Sequence, residues 1–203
     1  MEFEFKGNTI KFQRELSNLD KLVIKFTKIL EKQEIDYVII SGYIAILFGR
    51  SRNTEDIDLF IEEMSFEKFK EFWTELEKQG FECIIESDPK QAYYEYLKNQ
   101  TPVRFAIKGT FLPNFELKFA KTKYNFYSLK HKVKVIVNKE KLNIPELEMQ
   151  IAFKLKLGSE KDFEDARHLY KVFKESLDMK LLENQIRELK VEKEAEERLW
   201  KKV

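Results

Sequence analysis

The segment from Tyr37 to Ile61 restricts the fold more than any other part of this 203-residue chain. Tyr37-Val38-Ile39-Ile40 is a continuous apolar run of strand length, the pattern of a buried strand. Ser41-Gly42 breaks it, Tyr43 to Phe48 reads as one short helix, and Gly49 ends that helix. A polar loop, Arg50 to Glu55, leads into Asp56-Ile57-Asp58-Leu59-Phe60-Ile61, which alternates as a strand does. Successive strand side chains point to opposite faces, so Asp56 and Asp58 share a face and Ile57 lies on the other. Two carboxylates held so close repel unless a cation sits between them, and hard oxygen donors suit Mg²⁺ or Mn²⁺. Ahead of them Gly42 lets the backbone approach a ligand closely, and the helix starting near Tyr43 directs free N–H groups at it. Ser41 is placed either to join that turn or to cap the helix.

The rest of the chain divides into an α+β body, residues 1–144, and a helical region, residues 145–203. Apolar residues at three- and four-residue steps predict a helix over 16–33, with Ser17 or Asn18 as N-cap. Ser65 caps a second helix that stops at Gly80. Strands are expected at 81–86 and 103–108, with a short helix over 89–99 between them. Period-two patterning then predicts strands at 115–120, 124–129 and 132–137. After Pro145 come helices ending at Gly158 and Lys174, and two more over 178–189 and 192–202.

Charge and cysteine content exclude several classes. Lys and Arg number 37 against 36 Asp and Glu, so phosphate contacts spread over the whole surface are ruled out and only a local basic face remains. The single cysteine, Cys83, excludes an internal disulfide and a cysteine-rich zinc site. No run approaches the length of a membrane span, and the first residues lack the pattern of a secretion signal, so a cytoplasmic protein is expected.

The order strand, Ser41-Gly42, short helix, Asp56-x-Asp58 resembles the nucleotidyltransferase fold of the DNA polymerase β superfamily. It is most similar to the small nucleotidyltransferases grouped with abortive-infection toxins. A second segment, 146–170, is similar to that group's helical region, in which a lysine on one helix precedes a Lys-Asp-x-x-Asp run on the next; here these are Lys154 and Lys161 to Asp165. The resemblance implies a mixed β-sheet flanked by helices with a C-terminal helical region. It also implies transfer of NMP from an NTP such as ATP to a hydroxyl acceptor on RNA (tRNA included), a protein or a small molecule. Asp56 and Asp58 would hold two Mg²⁺ ions, the backbone of Ser41, Gly42 and Tyr43 the β- and γ-phosphates, and Lys154, Arg50 and Arg52 would offset phosphate charge. Asp165 would orient Lys154, and the helices would wall the nucleotide site. A cognate antitoxin or other protein partner is a further implication.

A third carboxylate is expected within an Arg-hydrophobic-Asp-hydrophobic pattern on a later strand. The best match, Arg104-Phe105-Ala106-Ile107, puts Ala106 there, with Glu116 as the alternative acid. The strands at 37–41, 56–61 and 103–108 should then be neighbours, with Asp56, Asp58 and Ala106 in one cleft. Loss of that ligand would favour a second class of function, a non-catalytic module that binds nucleotide or a protein partner.

Overall fold

In the computed structural model, which describes residues 2–201, a capping box starts the first helix, α1 (Asn18–Lys32). The Ser17 hydroxyl accepts from the Asp20 N–H, and the Asp20 carboxylate accepts from the Ser17 N–H. Its buried stripe, including Val23, Phe26 and Leu30, covers one face of a five-stranded sheet. The strands of that sheet are β3 (Tyr37–Ile40), β4 (Asp56–Ile61), β5 (Phe81–Cys83), β6 (Val103–Ile107) and β7 (Asn114–Phe119). Helices α2 (Gly42–Leu47) and α3 (Phe66–Lys78) lie between them in sequence.

The sheet order is β3-β4-β7-β6-β5; β4 and β7 run parallel and the other neighbours antiparallel. On the covered face Phe26 stacks on Phe115 at 3.9 Å, and Phe72 and Trp73 of α3 pack edge-on against Phe105. Each of these fully buried aromatics contributes about 1.5–3 kcal/mol relative to leaving it in water.

This order corrects the expectation for the third strand. β7 stands between β4 and β6, so the 103–108 segment does not adjoin the aspartates. Across β4, β7 and β6 the register reads Asp58, Glu116, Arg104 in one row and Asp56, Asn114, Ala106 in the next. Ala106 is therefore two strands from Asp56, roughly 10 Å by ordinary strand spacing. The acid beside Asp58 is Glu116.

A second sheet, order β1-β2-β8-β9, is built from β1 (Glu4–Phe5), β2 (Thr9–Phe12), β8 (Val133–Val137) and β9 (Glu140–Ile144). Three of its strands carry no expectation from the sequence. β1 and β2 are short, β1 exposed and β2 half-buried, and β9 lies in the stretch between the strand expected at 132–137 and Pro145. The strand expected at 124–129 is instead a helix, α5 (Lys123–Lys130). Thr122 and Asn125 close a capping box there, and this satisfies N–H groups that a strand would have had to pair across a sheet.

The segment over 89–99 is helical but irregular: α4 (Pro89–Gln91) runs into a π turn and then a 3₁₀ turn. Its Tyr93 is core, with the hydroxyl donating to the Met64 carbonyl at 2.7 Å. The C-terminal helices are α6 (Leu147–Leu157), α7 (Glu160–Phe173), α8 (Met179–Glu188) and α9 (Lys193–Trp200). Gly158 ends α6 at φ 77°, and Ser159 caps α7. One continuous hydrophobic core joins these helices to the sheets. No described helix is long and apolar enough to cross a membrane.

Candidate active site

The turn between β3 and α2 is held at Ser41, whose φ of 65° and ψ of −136° belong to glycine territory. The backbone freedom expected of Gly42 is thus exercised one residue earlier. Ser41 does not cap the helix, since its side chain makes no cap hydrogen bond. Its carbonyl instead accepts from the Gln150 amide at 3.0 Å, which ties the turn to α6. Gly42 packs closely against the loop: a Cβ there would sit 2.8 Å from the Arg52 guanidinium, so that side-chain end would have to shift. Ser41→Gly should relieve the strain and raise stability by about 1 kcal/mol. A thermal melt would then shift upward by roughly 2–4 °C; an unchanged or lower Tm would mean the serine is not strained.

Tyr43 points its side chain away from the turn into the core. Its hydroxyl donates to Asp20 at 2.8 Å, and burial together with the Asp20 charge pushes the phenol well above its ordinary value. Any ligand contact at Tyr43 is therefore confined to its backbone. Asp20 also accepts from Arg14 at 2.7 Å, and it is fully buried. Sequence reasoning missed this residue. Ser17-x-x-Asp20 is a legible capping signal, but the bond to Tyr43 joins positions 23 residues apart.

The face of β4 opposite the aromatic core carries Asp56, Asp58 and Phe60. Burial raises Asp58 above the usual carboxylate range; neighbouring Asp56 and Glu116 add to this, and Lys118 opposes it. The Lys118 ammonium lies 3.4 Å from Asp58 and 3.2 Å from Glu116. Glu116 also accepts from Arg104 at 2.6 Å. Burial works against its charge, but these cations outweigh burial and hold its carboxyl below the usual range. Among the described residues no group of three or more acid, histidine or cysteine side chains is arranged to hold a metal. Asp56 and Asp58 still supply two hard oxygen donors on one face. That set fits Mg²⁺ or Mn²⁺, which are commonly held by one or two carboxylates with water and substrate phosphates completing the shell.

The raised Asp58 value has a consequence for stability. An acid harder to ionise in the folded state favours folding below its unfolded value of about 3.9, and that contribution is lost as pH rises through the folded value. At neutral pH, Asp58→Asn should therefore stabilise the protein by roughly 0.2–1 kcal/mol, the scale of a like-charge pair relieved. Melts of both proteins across pH should converge as the wild-type carboxyl takes up its proton. A variant less stable than wild type at pH 7 would contradict the burial argument.

Arg50 and Arg52 are not freely solvated loop cations. Both guanidiniums pair with Asp165, a fully buried carboxylate on α7. The Lys154 ammonium joins them, 3.0 Å from Asp165 and 2.6 Å from Asp162. Lys154 is 3% exposed, inside this ion cluster. It nonetheless lines a cavity of about 220 Å³ together with Ser41, Asp58, Lys118 and Gln150. The apolar wall of that cavity includes Ile40, Phe60, Met149 and Phe153. The cavity thus brings the turn, one aspartate and the C-terminal lysine to one space. Gln150 and Lys118 were missed from sequence, because a single glutamine on a largely buried helix and a lysine on a strand carry no local signal.

No protein-family profile matches the chain, and no curated protein does. Comparison with solved structures identifies the fold. An antigenic nucleotidyltransferase-like protein from Paracoccidioides brasiliensis superposes with a TM-score of 0.51 at 19% identity, covering 88% of this chain and 90% of that one. The antibiotic-resistance factor ANT(2")-Ia, solved in complex with adenylyl-2"-tobramycin, gives 0.56 at 14% identity over 86% and 98%. A lincosamide antibiotic adenylyltransferase, LnuA, solved with lincomycin, gives 0.52 at 12% over 78% and 99%. The chain has the nucleotidyltransferase fold.

Proposed function

We propose that this chain is a metal-dependent nucleotidyltransferase that moves NMP from an NTP to a hydroxyl acceptor. The observation that carries this is the shared cavity: Asp58, the strained Ser41 turn and Lys154 line one space although they lie far apart in sequence. The adenylyltransferases of the same fold support the reaction class. A Mg²⁺ or Mn²⁺ held on Asp56 and Asp58 would supply neutralisation of phosphate charge and activation of the acceptor hydroxyl. The protein's own groups do the rest. The N–H groups at the start of α2 face the phosphates, and Lys154 adds positive charge within the cavity. Asp165 fixes Lys154, Arg50 and Arg52 in place, so these cations need no reorganisation when an anion arrives.

The feature that favoured a binding-only module was Ala106. It lies two strands from Asp56, and an acid, Glu116, stands in the row beside Asp58. An alanine at that distance therefore takes no ligand from the aspartate pair, and the ground for a binding-only module falls away. Calorimetric titration of NTP with and without Mg²⁺ tests the proposed site. Asp56→Asn combined with Asp58→Asn should abolish the Mg²⁺-dependent part of binding while the fold is retained. Unchanged Mg²⁺-dependent affinity would put the site elsewhere.

A further inference from the structure

We propose that the Lys118 ammonium is a built-in counter-ion of the carboxylate face, so that this chain takes a single divalent cation there, on Asp56 and Asp58, where three unpaired acids would take two. The inference rests on the nucleotidyl-transfer reading and specifies its metal requirement.

Lys118 lies on β7 two residues beyond Glu116, so both side chains project from the same face of the sheet. Its ammonium bridges Asp58 Oδ1 and Glu116 Oε2, and it lines the cavity shared with Lys154. The other Glu116 oxygen, Oε1, accepts from Arg104. Both oxygens of Glu116 are therefore held by cations, and Glu116 serves to seat Lys118 beside Asp58. Asp56, Asp58 and Glu116 against Lys118 and Arg104 leave one negative charge on this face. One divalent ion reverses that sign and makes the face attractive to an anionic phosphate. A second ion would have to displace the ammonium or sit against it in a partly buried space where repulsion is weakly screened. A lysine making only a solvated ion pair would leave the number of bound metals unchanged.

Titration of the chain with Mn²⁺ alone, with free ion counted by electron paramagnetic resonance, reads this without turnover. The ions that matter are those lost in the Asp56→Asn/Asp58→Asn protein. Wild type should lose one such ion. Lys118→Met, which removes the charge but keeps the stem, should bind two, and Lys118→Arg should return the count to one. The Lys118 side chain is 31% exposed, so neither substitution disturbs the core. Two ions in wild type, or one in Lys118→Met, would overturn the counter-ion role and leave the aspartate pair standing as a metal site. No ion lost in the double aspartate variant would overturn both.

Discussion

Replacement of Asp165 by alanine is expected to destabilise the protein by about 3–5 kcal/mol, the cost of removing one partner from a buried ion pair. Asp165 has no solvent exposure, and Arg50, Arg52 and Lys154 all pair with it. Without it, Lys154 retains Asp162, but the two arginines lose the carboxylate they share. For a chain of this length the change corresponds to a fall in Tm of roughly 6–20 °C. Differential scanning calorimetry reads it directly. Asp165→Asn, which keeps the volume and part of the hydrogen bonding, should fall between the two. A Tm within about 2 °C of wild type in the alanine variant would mean the cations are adequately solvated by themselves. NTP affinity should fall in both variants, because the same carboxylate holds the polar loop 50–55 against α7 and sets Lys154 in the cavity.

Asp20→Ala should have an effect of similar size, about 3 kcal/mol or more, for a different reason. The carboxylate accepts from Arg14, from the Ser17 backbone and hydroxyl, and from Tyr43. Its loss leaves the phenol of a fully buried tyrosine without an acceptor and removes half of the α1 capping box. Burial alone would raise the Asp20 value; the hydrogen bonds from Ser17, Tyr43 and Arg14 outweigh it and hold the value low. Its contribution is therefore present above about pH 4 and lost only as pH falls through the lowered folded value. The difference in Tm between wild type and variant should shrink in strong acid. Because Tyr43 anchors α2, looser NTP binding should accompany the lost stability.

Local patterns carried much of this fold. Ser17, Ser65 and Ser159 announce helices because a capping serine and an apolar stripe are both short-range features. Asp56-x-Asp58 is legible because strand alternation alone puts both acids on one face. Sheet order is not local, and there the expectation failed. Nothing within residues 103–119 says which of two adjacent strands pairs with β4, and the pattern at Arg104 to Ile107 pointed to the outer one. The true neighbour, Asn114–Phe119, carries Glu116 between apolar residues, a pattern that an edge strand would share equally. The 124–129 segment misled because its aromatic spacing fits either period over six residues, and the deciding signal was the Thr122–Asn125 cap. The strain at Ser41 was illegible for the opposite reason: serine gives no warning that its backbone stands where glycine is usual.

On the proposed reading, Asp58, the Ser41 turn and Lys154 form one phosphate-handling site that performs transfer. The most direct measurement is release of pyrophosphate from α-³²P-labelled NTPs with Mg²⁺, in the presence of bulk RNA, protein or small hydroxyl compounds, with label followed onto the acceptor. Wild type should release pyrophosphate and label an acceptor in step, and Asp58→Asn, which keeps the fold, should do neither. Equal release by wild type and Asp58→Asn would contradict the assignment of the site, and tight Mg²⁺-dependent NTP binding by wild type without transfer to any acceptor class would contradict the claim of catalysis.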